Sequence, residues 1–440
     1  LCIGTCPTGA IAERVPLIKP GPWPTRPIPT ICGYCGVGCR LHHDVHGTSL
    51  VKMSRRDGGP TSGNHCRKGR FGYQHTQDPQ RLATAWVRSG RELQETDLDD
   101  AISHVALRLK ELRRKYSGDE MAVFVSPRLT NEEIYLAQKF ARVALGTHQV
   151  ASLSTLVNRE LCCPEIVSTA GYADLEDAQA IVIVNAALSE EHFTVDLMVK
   201  KAIRKGAKLI SIGPVVDHTS RFADVYLHCD DGRQAQAVFA LVKAAADAGI
   251  VSAEANPRLA TALGTATLEG LAQEAGVDPE SLRAAAAILA KSIIKVLVAN
   301  RDYRGRRIAE DVRLFAEAAE AIGGGFLALR EKANGQGLSD LGGDPAWLPG
   351  YIHTGDEAGL AMLEREWCVS LRDLGGANAD LVAKLRQKKI KVAVLLGEDP
   401  VGHESFPRDL CEGICAADFL VVGDQFLTAT ARLDHAALPL

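Results

Sequence analysis

Four cysteines, Cys32, Cys35, Cys39 and Cys66, are spaced C-x2-C-x3-C-x26-C. Three thiolates close in sequence can wrap one corner of an iron–sulfur cubane while a distant fourth closes it. Gly33, Gly36 and Gly38 between them let the backbone turn tightly and bring its N–H groups toward the sulfides. A structural zinc ion also takes four cysteines, but usually as two separated C-x2-C pairs, so the triplet favours a [4Fe-4S] cluster. Cys2 and Cys6-Pro7 have the C-x3-C-P spacing that ends a ferredoxin-type ligand run, whose last cysteine often serves a different cluster. Two incidental loop cysteines are the alternative there. The remaining Cys162, Cys163, Cys229, Cys368, Cys411 and Cys415 read most simply as buried thiols. Cys411 and Cys415 also have the i, i+4 spacing of a helical pair.

Other polar groups carry weaker chemistry. Asp217-His218 with His228 and Asp230 offer an acid/base set, but loop residues at strand ends explain them better. Gly323-Gly324-Gly325 has no following Lys-Ser/Thr and ends a helix rather than cradling phosphate. Asp356 and Glu357 are expected to be solvated.

The elements that must position the thiols are those of a sizeable globular chain. Its 440 residues, 46% hydrophobic, are enough for about three domains with substantial cores. Fifty Lys plus Arg against 54 Asp plus Glu give a formal charge of −4, which supplies no footprint for nucleic acid. No apolar run approaches the roughly 18 residues of a membrane span. The chain begins without Met and within what reads as the end of a cluster motif, so a preceding segment carrying any targeting signal is expected. Residues 12–30 hold Pro16, Pro20, Pro22, Pro24, Pro27 and Pro29, which excludes a helix and predicts a stiff extended connector. From about Leu98 the texture becomes alternating amphipathic helices and short apolar runs. Strands are predicted at 121–125, 180–184, 208–212, 225–228, 294–299, 392–396 and 419–422, with helices between them. That succession predicts parallel α/β domains.

From Cys32 to Arg70 the sequence resembles the cluster domain of the molybdopterin oxidoreductase superfamily, in particular formate dehydrogenase alpha subunits and the large iron–sulfur subunit of NADH dehydrogenase. The resemblance runs on through Cys66-Arg67-Lys68-Gly69-Arg70-Phe71, Asp78-Pro79-Gln80-Arg81-Leu82, Phe140-Ala141-Arg142, Gly146-Thr147, Asn334-Gly335-Gln336-Gly337, Gly397-Glu398-Asp399-Pro400 and Val422-Gly423-Asp424-Gln425-Phe426-Leu427-Thr428. It stops at Ala436 to Leu440, where such proteins continue into another strand and a β-rich domain, so a continuation of the chain is expected. The resemblance implies a small N-terminal Fe–S domain followed by interleaved, doubly wound α/β domains. The expected division is 1–28 as the tail of a ferredoxin-like domain and linker, 29–85 as the [4Fe-4S] domain, 86–128 with 293–440 as one α/β domain, and 129–292 as a Rossmann-like domain. It also implies that Lys68 lies between the cluster and a pterin ring, where a cation offsets negative charge during electron transfer.

The resemblance fails at the metal. A formate dehydrogenase would carry Cys or selenocysteine bound to molybdenum or tungsten, followed by His, about eleven residues past the Gly-Thr pair. Val157 and Asn158 occupy those positions; a shifted register offers Cys162 as a ligand beside Arg159 and Cys163-Pro164, still without His. The nucleotide contacts of molybdopterin guanine dinucleotide also look degraded. The family's G-x-N-P is Asn185-Ala186-Ala187-Leu188, its D-P-R is Gly213-Pro214-Val215, and its G-T-D is Gly232-Arg233-Gln234. The expectation is an electron-relay subunit with a decayed metal site and a disfavoured pterin, working with flavin- or NADH-handling and ferredoxin-type partners. Its location is expected to be cytoplasmic, with peripheral attachment to a membrane complex allowed. A catalytic molybdenum or tungsten formate dehydrogenase is the leading alternative, and a purely structural assembly subunit is the third.

Overall fold

The computed structural model describes residues 3, 6–8, 10–11, 13–14, 23–157, 166–184, 186–251, 257–300, 308–376 and 380–440. The chain folds as two units, each made of two stretches of sequence: Leu1–Tyr73 with Glu165–Ala333, and Gln74–Pro164 with Asn334–Leu440.

The first unit begins with a three-stranded antiparallel sheet, Arg26–Ile31, Arg40–His46 and Ser49–Arg55 in that order. Pro27 and Pro29 fall inside the first strand, pairing with Asp44 and His42. Proline is tolerated there because the strand is an edge. The segment expected to be a connector thus ends as part of the sheet. A five-stranded parallel sheet follows, ordered Val225–His228, Lys208–Gly213, Ala180–Val184, Lys295–Asn300 and Gly325–Leu329. Counted along the chain this order is 3-2-1-4-5, the doubly wound pattern, with its reversal between Ala180–Val184 and Lys295–Asn300. Ala180–Val184 is buried at every position, as expected of a central parallel strand covered on both faces. One apolar core joins Val37 of the cysteine loop and Leu41, Leu50 and Met53 of the small sheet to Leu175 of the helix Tyr172–Asp177 and Ile181, Ile183, Leu327 and Leu329 of the large sheet. The cysteine-bearing segment therefore shares its core with the parallel sheet.

The second unit is built on a seven-stranded sheet ordered Glu92–Thr96, Ala85–Ser89, Ala436–Pro439, Phe419–Asp424, Val392–Leu396, Met121–Val125 and Val150–Ala151. Ala85–Ser89 pairs antiparallel with both of its neighbours, and the remaining pairings are parallel. Its order reverses between Met121–Val125 and Val392–Leu396. The residues at which the family resemblance stops form the strand Ala436–Pro439, beside Phe419–Asp424. The helix Leu98–Lys115 is capped by Asp97, buries Ala101, Val105, Leu109 and Leu112 along one stripe, and ends in Arg113, Arg114 and Lys115, which suit the negative end of its dipole. Asn131–Lys139 starts with a Thr130/Glu133 capping box and widens into a π-helical turn, Phe140–Leu145, stopped by Gly146 at φ +72°.

This division groups the expected [4Fe-4S] domain up to Tyr73 with the first unit and residues 74–85 with the second, and it differs from the expected one at two further segments. Residues 129–164 go with the second unit, because Val150–Ala151 pairs with Met121–Val125. Residues 293–333 go with the first, because Lys295–Asn300 pairs with Ala180–Val184. Apolar runs in the sequence identify strands; they do not say which strand is the neighbour across a reversal point.

Candidate metal centre

The small sheet places the first three cysteines. Cys32 follows the strand Arg26–Ile31 directly and Cys39 precedes Arg40–His46, and the bond from Cys32 N to Cys39 O, 2.9 Å, closes the loop between them. Gly38 makes the last turn at φ +68°. Cys66 stands at the N-cap of the short helix Arg67–Phe71, and its carbonyl accepts from Arg70 N at 3.0 Å. Cys32 and Cys39 are buried; Cys35 and Cys66 are half-buried.

These four thiols act on one another. Burial pushes the Cys32 thiol up to about 12, and Cys39, Cys35 and Cys66 each push it further in the same direction. Burial also raises Cys39, with Cys35 and Cys66 adding to the effect. Among the described residues no three His, Cys, Asp or Glu side chains are close enough together to hold a single metal ion. Uncharged thiols gathered here gain little; four thiolates on a cationic iron–sulfur core resolve both the burial of Cys32 and Cys39 and the repulsion. The donor set fits a [4Fe-4S] cluster held by Cys32, Cys35, Cys39 and Cys66.

Two glycines make room. A Cβ on Gly69 would stand 3.3 Å from Cys32 Sγ, and one on Gly36 would stand 2.6 Å from Arg330 Cβ. Gly36 N donates to Arg330 O at 2.9 Å, and His192 Nε2 lies 3.0 Å from the same carbonyl. Arg330 immediately follows the strand Gly325–Leu329, so the cysteine loop is tied to the carboxyl end of the parallel sheet. Gly33, by contrast, has open space around it and no positive φ.

Of the other expected site residues, Lys68 is exposed on the helix that Cys66 caps. Cys6 contacts Thr8 Oγ1 at 3.4 Å, and that hydrogen bond is the main cause holding its thiol down to about 7. Cys2, Asn158, Arg159, Cys162, Cys163 and Pro164 lie outside the described residues. Val157 ends the helix Leu153–Val157 with its apolar side chain exposed. Cys229 is buried as expected, but Cys368 is exposed: it ends the helix Glu357–Trp367 in the left-handed region, where the chain turns outward. Cys411 and Cys415 share the helix Arg408–Cys415 and hydrogen-bond to each other.

The carboxyl ends of the second unit's strands are filled by side chains that spacing alone did not single out. Glu398, buried after Val392–Leu396, accepts from Leu153 N at 3.1 Å at the start of the helix Leu153–Val157. Ser152 and Thr155 cap that helix reciprocally, and Thr155 Oγ1 donates to Gly343 O at 2.7 Å. Asp399 accepts from Thr430 N and Gly402 N.

Comparison with known proteins accounts for both parts of the chain. Residues 81–440 match the family Molybdopterin oxidoreductase, and residues 25–78 match the Molybdopterin oxidoreductase Fe4S4 domain. The chain belongs to the molybdopterin oxidoreductase family. Over its whole length it is 28% identical to the NADPH-Fe(3+) oxidoreductase subunit alpha of Geobacter sulfurreducens, of which it covers 53%. It is also 28% identical to the F420-dependent formate dehydrogenase subunit alpha of Methanocaldococcus jannaschii, over 93% of this chain and 63% of that protein. The chain thus spans about half to two thirds of the length of these curated relatives. Acetylene hydratase from Pelobacter acetylenicus has the same fold, with a TM-score of 0.69 at 17% identity over 93% of this chain and 62% of that one.

Membership in this family raises the question of a pterin, and the described residues at the expected nucleotide positions are engaged within the chain. Arg233 is turned to Glu274 O at 2.8 Å, and Gln234 donates to Asp231 at 3.2 Å. Gly213 O accepts from the Tyr226 hydroxyl at 2.7 Å, while Val215 stands exposed. Asp217 is no acid/base group either, since its carboxylate accepts from Thr219 N and Ser220 N and caps its own turn. Likewise Asp356, though exposed, caps the helix Glu357–Trp367.

Proposed function

We propose that this molybdopterin oxidoreductase chain is the iron–sulfur electron-transfer part of a multi-subunit oxidoreductase. In this reading it relays electrons between a flavin- or NADH-handling partner and another redox centre. The observation that carries the proposal is the set of four cysteines in which Cys35, Cys39 and Cys66 act on Cys32, with Gly69 beside its sulfur and the loop tied through Gly36 to Arg330 at the carboxyl end of the parallel sheet. Cys32, Cys35, Cys39 and Cys66 hold the cluster, which when bound supplies one-electron redox chemistry. The protein excludes water on the Cys32 and Cys39 side and leaves Cys35 and Cys66 half-buried, nearer to where a partner docks. Lys68 places an exposed cation two residues from Cys66, where it offsets charge as an electron passes. Cys2 and Cys6 belong to a second, ferredoxin-type cluster.

Partners follow from the same reading. The relatives are alpha subunits, which supports further subunits, and one is named for NADPH and Fe(3+). Among the described residues no helix is long and apolar enough to cross a membrane; we place the chain in the cytoplasm, with any membrane association through partners. The altered strand-end residues and Val157 support a chain without its own molybdenum chemistry.

Metal analysis with a dye-reduction assay tests the proposal. About four irons per complete cluster, no molybdenum or tungsten, and no formate-to-dye turnover by the isolated chain are expected, with cluster reduction on adding an NADH-oxidising flavoprotein partner. Stoichiometric molybdenum or tungsten with steady formate turnover would replace it by the formate dehydrogenase reading that the second relative's name suggests.

A further inference from the structure

Cys39 Sγ is flanked by two threonine hydroxyls from distant parts of the chain. Thr194 Oγ1, in the first turn of the helix Phe193–Arg204, lies 3.8 Å from the sulfur, and its side chain is buried. Thr61 acts on the same thiol, and with Thr194 it opposes the upward push of burial there. Thr61 is 1% exposed, and its hydroxyl has no hydrogen-bond partner in the thiol form of the site. Leaving a buried hydroxyl unpaired is destabilising, so its persistence calls for an acceptor. A neutral thiol is a weak acceptor. An iron-bound thiolate is a charged one, and both hydroxyls are placed to donate to it.

We propose that Thr61 and Thr194 are positioning residues that donate hydrogen bonds to Cys39 Sγ in its metal-bound form and raise the reduction potential of the cluster. The proposal rests on the cluster reading above. Reduction adds one electron from an external donor and increases the negative charge shared by the sulfurs. Hydrogen-bond donors fixed at one of those sulfurs stabilise the reduced state more than the oxidised one. The effect is built into the fold, because Thr194 belongs to a helix flanking the parallel sheet and Thr61 to the loop before Cys66. Neither hydroxyl depends on a flexible side chain.

The test is a redox titration of the full chain followed by electron paramagnetic resonance, on wild type, Thr61→Val, Thr194→Val, the double variant and the Thr→Ser pair. Valine keeps the shape and removes the donor; serine keeps the donor. The Val variants should retain iron and shift the midpoint downward. At the wild-type midpoint, the double variant should lower the reduced-to-oxidised ratio about tenfold, which is about 59 mV for a one-electron couple. The Ser variants should restore the wild-type midpoint. Val variants with full iron and an unchanged midpoint would overturn the proposal. Should valine cost iron binding, the wild type still decides: proton couplings to the reduced cluster that disappear in D2O support the donors, and their absence refutes them. A wild-type chain without iron fails at the earlier step and is recognised by metal analysis alone.

Discussion

The two α/β units solve the same topological problem and finish it differently. Each has a parallel sheet whose strand order reverses once, and in each the reversal opens a crevice at the carboxyl ends of the strands. In the first unit that end is built against the cysteine loop, through Gly36 and Arg330 and through Thr194 beside Cys39. In the second it is filled from within, by Glu398 on the Leu153 N–H, Thr155 on Gly343 and Asp399 on the Thr430 turn. The same winding rule therefore yields a mount for a prosthetic group in one unit and a self-satisfied polar cluster in the other. What a doubly wound sheet does is decided by the loops at its carboxyl edge.

The sharpest way to break this comparison is Cys35→Ser. It should cost the cluster, seen as loss of about four irons per chain and of the reduced [4Fe-4S] signal. It should also lower hydrogen-exchange protection across residues 26–73 while leaving the sheet of the second unit protected. Equal loss in both units would mean that the cluster does not anchor the first one alone.

Asp434 offers a test confined to the second unit. Burial raises its carboxyl to about 8 from an ordinary 3.8, only partly opposed by Arg88, and both its oxygens lack partners. The folded state thus keeps its proton where the unfolded state has lost it. The stabilising effect is full below pH 3.8 and declines as pH rises toward 8, with a ceiling of about 1.4 kcal/mol per pH unit. Asp434→Asn should flatten that decline in chemical denaturation of the second unit and leave the first unchanged; an unaltered pH profile would show that Asp434 does not titrate this way.

Gly36→Ala forces a methyl to 2.6 Å from Arg330 Cβ, and should destabilise the first unit by about 1–3 kcal/mol with reduced iron occupancy. Glu398→Ala leaves the buried Leu153 N–H without its acceptor and should cost the second unit about 1–2 kcal/mol, with iron content unchanged. Smallest of all is Cys162→Ala, expected to cost the small amount of a modest truncation and to leave turnover intact. Abolished activity at full iron content would instead make Cys162 a metal ligand.

How much of this could be read from the sequence depended on how local the cause was. Met121–Val125, Ala180–Val184, Val225–His228 and Val392–Leu396 were legible to the residue, since strands covered by helices appear as short apolar runs. The hairpin Ala85–Ser89 and Glu92–Thr96 was not, because its faces are half exposed and its polarity mixed. Two-residue Val150–Ala151 has no pattern at all, yet it decides to which unit residues 129–164 belong. The four thiols stood out by spacing. Their surroundings did not: Thr194 is 155 residues from Cys39, and Arg330 meets Gly36 only through the winding of the sheet. Arg142 was visible as part of Phe140-Ala141-Arg142, but nothing local shows that it is fully buried and held by Gln138 and Trp347 O.

The prolines of the strand Arg26–Ile31 have a consequence for behaviour in a crowded solution. The open rim of a sheet is a template onto which another extended chain can zip, and such growth leads to aggregates. Pro27 and Pro29, two residues apart and on the same side of the backbone, remove two successive donors from that rim. An incoming strand would find a gap in the ladder at every second position. The cysteine-bearing segment thus carries its own safeguard against β-polymerisation.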